Sequence, residues 1–275
     1  MPELPEVEVT RRSISGIEGS RVLAARLGKP LRWPLGCAPE ALAGNHIGPV
    51  QRRGKYLWLP LSRDGQAAGG LLLHLGMSGS LAWGAHPGPV GPHTHFELQT
   101  TSGWLQLTDP RRFGAVVWSA GLDVLPACAL LARLGAEPFD PALGAPQLHA
   151  AWQARRIPIK TALLAGREVV GVGNIYASEA LFEAGIHPHT PCAALSLPQV
   201  AGLLAAIRRI LGEAIAAGGS TLRDFQNAHG IAGAYQQTQV RVYGRAGQAC
   251  SRCGATITRV IQGQRATYFC PNCQH

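Results

Sequence analysis

Four cysteines close to the C-terminus constrain what this chain can fold into more than any other feature. Cys250-x2-Cys253 and Cys270-x2-Cys273 are separated by sixteen residues, and each pair offers two thiolates at the spacing that grips one side of a tetrahedral ion. Between them, Thr256 to Ile261 and Arg265 to Phe269 are β-formers on either side of Gln262-Gly263-Gln264. The stretch therefore reads as a hairpin closed at its base by metal. With all four positions filled by Cys, one structural zinc ion is expected. Cys37, Cys128 and Cys192 are scattered, and an odd total of seven argues against a disulfide framework. Arg265 falls at or just past the hairpin tip, where a stiffened loop can carry a guanidinium to a phosphate or leave it in solvent.

Charge narrows the class of partner. Twenty-five Lys plus Arg against sixteen Asp plus Glu give a formal charge of +9 and a pI near 9.6, which favours an anionic partner such as nucleic acid. Only Lys29, Lys55 and Lys160 are lysines, so 22 of the 25 cations are Arg, whose planar fork suits phosphates and base edges. No apolar run is long enough to span a bilayer, and the N-terminus has neither a basic start nor an apolar stretch behind it. A cytoplasmic protein without a membrane partner is expected.

Along the chain, residues 1 to about 125 carry short apolar runs split by Gly and Pro, such as Tyr56 to Leu59, Gly70 to Leu75 and Ala115 to Trp118. This pattern predicts a mostly β domain, a sandwich. A helix should precede it: Pro5 suits a first helical turn, Glu6 and Glu8 complement the helix dipole, and Glu8 to Arg12 is an i,i+4 pair. Pro138-Phe139-Asp140-Pro141, Gly144 and Pro146 interrupt the pattern, and the sequence then turns helical from Ser196-Leu197-Pro198 to Ala217-Gly218-Gly219. From about 240 a small cysteine-defined module follows. In Val169 to Glu179, Asn174 sits where an N-cap belongs, behind Gly171 and Gly173. Such a helix start admits a close phosphate, although an isolated Gly-x-Gly is more often a plain turn. Arg155, Arg156, Lys160 and Arg265 add basic company.

Met before Pro is normally removed, which makes Pro2 a terminal secondary amine beside Glu3 and Glu6 and able to attack an electrophilic carbon. An α-amino group titrates near about 8; the positive helix end favours its neutral form and the carboxylates oppose this. Met1-Pro2-Glu3-Leu4-Pro5-Glu6-Val7-Glu8 resembles the opening of the formamidopyrimidine-DNA glycosylase family. The resemblance continues through Gln51 to Tyr56, His74 to Leu81, Asp109 to Gly114, Gly171 to Glu179, Val242 to Arg245 and Gln264 to Thr267. It implies a multidomain α+β protein: an N-terminal catalytic β-sandwich with a leading helix over 1–130, a helix-two-turn-helix domain over 131–239, and a zinc hairpin over 240–275. DNA is expected in a cleft between the domains.

The same resemblance implies a bacterial, nucleoid-associated and monomeric enzyme acting on duplex DNA that contains oxidised purines or abasic sites. Pro2 is then the nucleophile that forms a Schiff base, Glu3 an acid or base near the sugar, and Lys55 and Arg265 the groups assisting β- and δ-elimination. Glu6 either fixes the helix start or serves the site. His74, Asn174 and Arg265 are expected on phosphates, with His93 and Arg155 as further DNA contacts. A flipped-out nucleotide leaves a hole, and Met77, Arg111 and Phe113 match the residues that fill it, Arg111 facing the orphaned cytosine. The segment Asn227 to Gln237 lacks the Lys-Pro-Gly-Tyr-Phe pattern of some members, so lesion preference is less constrained than chemistry. A pyrimidine-specific glycosylase and a non-catalytic DNA-binding protein are the competing readings; Leu4 and the Met77, Arg111, Phe113 set oppose the first, and Pro2, Glu3 and Lys55 the second.

Overall fold

The computed structural model describes residues 2–220, 227–231, 233–235 and 239–275. Met1 and residues Ala232, Gln236 and Gln237 of the 227–237 segment lie outside the described residues. The chain divides into two compact units, Met1–Ala132 with Ala217–Ala234, and Arg133–Ala216 with Tyr235–His275. Ala217–Ala234, which falls inside the span expected for the helical domain, thus packs with the first unit.

The first unit begins with α1 (Leu4–Ser13), where Pro5 lies in the first turn and the Glu6 carboxylate accepts the backbone N–H at the helix start. Val7 and, just past the helix, Ile14 and Ile17 enter the core. Two antiparallel sheets follow. One has the order β1 (Val22–Leu27), β7 (Thr94–Thr100), β8 (Trp104–Thr108) and β6 (Ser80–Gly84). The other has the order β2 (His46–Ile47), β4 (Tyr56–Arg63), β5 (Gln66–His74) and β9 (Ala115–Ser119), with β3 (Gln51–Arg53) also paired to β4.

Alternation decides which side chains meet between the sheets. Leu57, Leu59 and Leu61 of β4 and Leu71 and Leu73 of β5 share one core with Phe96, Leu98, Leu105 and Leu107 of the opposite sheet. The intervening Trp58 and Leu72 are also buried, because α2 (Ala127–Leu131) covers that outer face through Ala127. Pro60, which cannot donate to a ladder, sits at a register shift in the β4–β5 pairing.

The second unit is built from α3 (Ala145–Gln153), α4 (Ile159–Ala165), α5 (Asn174–Glu183) and α6 (Leu197–Ala216), followed by the hairpin β10 (Thr258–Gln262) and β11 (Arg265–Phe269). Ser196 and Gln199 close the start of α6 reciprocally, with Ser196 N–H donating to Gln199 Oε1 at 2.9 Å and Gln199 N–H to Ser196 Oγ at 3.4 Å. α6 packs against α3 and α5, burying Leu203, Ile207 and Leu211. The hairpin turn has φ of +53° at Gly263 and +62° at Gln264, the left-handed pair that a tight two-residue hairpin demands.

Glu8 ties α1 to the sheet. Its carboxylate lies 2.9 Å from Arg11 Nη2, 2.8 Å from Arg12 Nε and 3.2 Å from Arg52 Nε of β3. Burial pushes the Glu8 carboxyl up, but the bonds and charges of Arg11, Arg12 and Arg52 outweigh it and hold the group at about 2 instead of 4.5. A depressed carboxyl stabilises the fold fully above its unfolded value and ceases to do so as the pH falls through the folded one. Glu8→Gln is therefore expected to lower the melting temperature at neutral pH, with the gap from the parent protein closing between pH 4.5 and about 2. A gap independent of pH in thermal scans would refute the assignment.

Candidate functional site

At the head of α1, Pro2 and Glu3 are both buried. Glu6, 2% exposed, accepts the Glu3 N–H at 2.8 Å through Oε2 and the Ser220 N–H at 2.7 Å through Oε1. One carboxylate thus fixes the backbone beside Pro2 and the backbone that leads into residue 221.

Lys55 occupies the two-residue turn between β3 and β4, where Gly54 takes a φ of +57°. The adjacent Tyr56 is the cross-strand partner of His74, and their rings stand 4.7 Å apart. His74 Nδ1 accepts the Gly76 N–H at 3.1 Å, which places the ring proton on Nε2. Burial, then the charges of Lys55 and Arg32, lowers His74 to about 4 against a weaker pull from Asp109. At neutral pH the ring is therefore a neutral N–H donor. Arg32, in the loop after β1, gives no signal in sequence; its relevance comes from the tertiary arrangement that brings its charge to bear on His74 and Tyr56. Imidazole nitrogen shifts of the DNA-free protein should report the Nε2–H tautomer with no protonation between pH 8 and 5.5, and a midpoint near 6.5 would contradict the placement.

The turn after β5 carries Met77, half-buried, and the loop between β8 and β9 carries Arg111 and Phe113, both exposed. The Arg111 guanidinium stands 5.2 Å from the centre of the Phe113 ring, a cation–π distance. His93 is exposed just before β7, and its carbonyl accepts the Asp109 N–H at 2.9 Å.

In the second unit Asn174 is the first residue of α5, and Gly173 rather than Asn174 stands at the N-cap. The shift by one residue turns the amide to other partners, and Nδ2 donates to the Ala266 carbonyl at 2.9 Å and to Tyr243 Oη at 3.4 Å. Lys160, grouped in sequence with the basic residues near this helix, is wholly buried. Its ammonium donates to Thr267 Oγ1 at 2.7 Å and to the same Ala266 carbonyl at 3.2 Å. Both groups therefore grip the hairpin strand beside Arg265, which is itself exposed at the first position of β11. Arg155 pairs with Glu168.

Glu179 is legible in sequence only as the end of a motif. It is 2% exposed and accepts the N–H groups of Arg241, Val242 and Tyr243 at 2.8, 3.0 and 2.7 Å. Burial pushes its carboxyl up and these three donors pull it back. The strap so held places Tyr243 against Tyr268 of β11, with ring centres 5.0 Å apart.

The sulfurs of Cys250, Cys253, Cys270 and Cys273 all lie within 4.8 Å of one another. Four Zn–S bonds of about 2.3 Å set the sulfurs of a tetrahedral site roughly 3.8 Å apart. The Cys253–Cys270 and Cys250–Cys273 pairs, at 3.5 and 4.0 Å, straddle that spacing, so the donor set fits one zinc ion and leaves no position for water or substrate. The module's own core is small, comprising Val242, Cys250, Ile257 and Cys270 against Phe182. Metal release by a chelator should therefore melt the hairpin, seen as loss of its amide dispersion in NMR, with one zinc recovered per chain; a hairpin unchanged without metal would show that the cysteines are not its staple.

Profiles of known families cover the chain in three parts: the formamidopyrimidine-DNA glycosylase N-terminal domain over residues 1–116, the helix-two-turn-helix domain of the same glycosylase over 134–226, and a zinc finger found in FPG and IleRS over 247–275. These define a DNA-glycosylase architecture with its zinc appendage. The formamidopyrimidine-DNA glycosylase of Albidiferax ferrireducens is 54% identical over 275 residues, spanning 100% of this chain and 99% of its own. A solved complex of a Lactococcus lactis FPG variant with Fapy-dG-containing DNA superposes with a TM-score of 0.90 at 33% identity, covering 100% of both chains. The Lactococcus lactis Fpg with DNA containing an abasic site gives 0.88 at 33% identity, covering 99% of both. The chain belongs to the formamidopyrimidine-DNA glycosylase family.

Proposed function

We propose that this protein removes oxidised purines, 8-oxoguanine and formamidopyrimidines, from duplex DNA and then cleaves the abasic strand, with Pro2 as nucleophile. The observation that carries the reading is the head of α1. The Pro2-Glu3 pair there is held by the buried Glu6 carboxylate in a chain that belongs to a family of DNA glycosylases.

In this reading the Pro2 nitrogen forms a bond to C1′ as the glycosidic C–N bond breaks, and the departing base takes a proton. Opening of the sugar, with Glu3 handling the proton on the ring oxygen, leaves an iminium between Pro2 and C1′. That iminium acidifies C2′, so loss of a C2′ proton expels the 3′ phosphate and a second elimination expels the 5′ phosphate. Lys55 serves the first elimination and Arg265 the second. Neutral His74 donates Nε2–H to a phosphate, and Asn174, His93 and Arg155 complete the contacts to the backbone. Met77, Arg111 and Phe113 fill the space of the extruded nucleotide. The zinc supplies no chemistry; its four thiolates stiffen the hairpin that carries Arg265. No described helix is long and apolar enough to cross a membrane, and the protein acts as a monomer on the chromosome in the bacterial cytoplasm.

Borohydride reduction on a duplex with an abasic site tests the nucleophile. The protein freed of Met1 should be trapped covalently at Pro2, identified by mass spectrometry, and Pro2→Gly should trap weakly while binding the duplex nearly as well. No adduct, or trapping and binding lost together, removes the assignment.

A further inference from the structure

Asp109 precedes the exposed Arg111-Arg112-Phe113 segment and is itself fully buried. Its Oδ1 accepts the Ser78 hydroxyl at 2.6 Å and the Arg111 N–H at 3.2 Å, and its Oδ2 accepts the Gly114 N–H at 2.7 Å. Its carbonyl accepts the Arg112 N–H at 3.2 Å and His95 Nε2–H at 3.0 Å. Its own N–H donates to the His93 carbonyl. Every polar atom of this residue is therefore engaged, and all of its partners except His95 are or flank expected DNA contacts.

The consequence is a loop wound around one carboxylate. Arg112 is driven to a φ of +56°, a left-handed conformation that strains a non-glycine residue. Phe113 between the two anchored N–H groups is turned outward, 46% exposed despite being aromatic. The Met77 turn is locked to the same point twice over. Ser78 donates to Asp109 and also accepts the Arg111 N–H at 3.2 Å. Gly76, at a φ of +60°, lies so close to this loop that a Cβ there would fall 2.5 Å from Gly114 N and Phe113 C.

We infer that Asp109 is the positioning residue that sets opposite-base discrimination, by fixing Arg111, Phe113 and, through Ser78, Met77 as one rigid wedge. The inference rests on the reading of those three residues as fillers of the vacated stack, and it assigns Asp109 no contact with DNA. A guanidinium can discriminate between bases only if its backbone is held within a fraction of an ångström. Asp109 supplies that hold through charge-assisted bonds, which are stronger and shorter than neutral ones.

The test uses the full-length, zinc-loaded protein. Asp109→Asn keeps the volume but can offer only one acceptor oxygen, setting an NH2 against either Gly114 N–H or the Ser78 and Arg111 donors. Ser78→Ala removes one anchor with little risk to folding. For both variants, single-turnover excision of 8-oxoguanine should lose discrimination between opposing cytosine and adenine, by about tenfold for Asp109→Asn and less for Ser78→Ala. Borohydride trapping on a ready-made abasic duplex, where no base need be extracted, should stay within about twofold of the parent. In a Phe113→Ala, Arg111→Ala background the Asp109→Asn effect on discrimination should vanish, because the groups it positions are gone. Unchanged discrimination in Ser78→Ala together with a folded Asp109→Asn, an equal loss in excision and trapping, or full additivity in the combined variant overturns the inference. If Arg111→Ala and Phe113→Ala themselves leave discrimination intact, the wedge reading fails first, and the inference falls with it.

Discussion

A charge taken out of water must find its hydrogen-bonding partners within the chain, because an unpaired buried ion costs several kcal/mol. This protein buries Glu6, Asp109, Glu179 and Lys160 almost completely, and each hydrogen-bonds backbone groups of another segment of the chain or of its own loop. Glu6 takes the N–H groups of Glu3 and Ser220, Asp109 those of Arg111 and Gly114, and Glu179 those of Arg241 to Tyr243. Lys160 takes the carbonyl of Ala266. The sandwich and the helices serve as frames from which these four charges reach out and hold irregular chain in place.

Such an arrangement suits a basic protein that must present cations to phosphates with several of its carboxylates engaged elsewhere; among the expected contacts Arg155 is the exception, since it pairs with Glu168. Sixteen acidic residues face 25 cations, and several acids are engaged elsewhere: three accept backbone N–H groups and Glu8 is saturated by Arg11, Arg12 and Arg52, none of them an expected phosphate contact. Arg265 and Arg111 consequently remain exposed. Holding these loops through the backbone leaves their side chains available, and a loop held this way needs no reorganisation when DNA arrives, which favours tight binding and precise chemistry alike.

The cysteine spacing alone makes the zinc ligands legible, and the resemblance in sequence makes the family legible, since each rests on motifs with fixed spacing. Asn174 shows where local reading stops. Its position suggests a cap, but Gly173 takes the cap and the Asn amide bonds Ala266, 92 residues later in the chain. Lys160 reads in sequence as one more basic neighbour of that helix, because a lysine flanked by Ile159 and Thr161 carries no sign of its burial. The role of Asp109 is equally hidden, as Ser78, His93 and His95 come from separate stretches of chain that reach it only once β6 and β7 pair on either side of β8.

What the sequence by itself determined is what nearest neighbours and short repeats can encode: the short apolar runs that become β4 and β5, a proline-opened first helix, two cysteine pairs around a glycine-bearing hairpin turn, and an amine-bearing second residue. Tertiary structure alone decided the protonation of His74, through burial and the fields of Lys55 and Arg32. It likewise decided the outward turn of Phe113 and the grip on the Arg265 strand. The division has a physical cause. Propensity and periodicity act over a few bonds, whereas desolvation and hydrogen-bond satisfaction depend on which distant groups share the space, a quantity that exists only after folding.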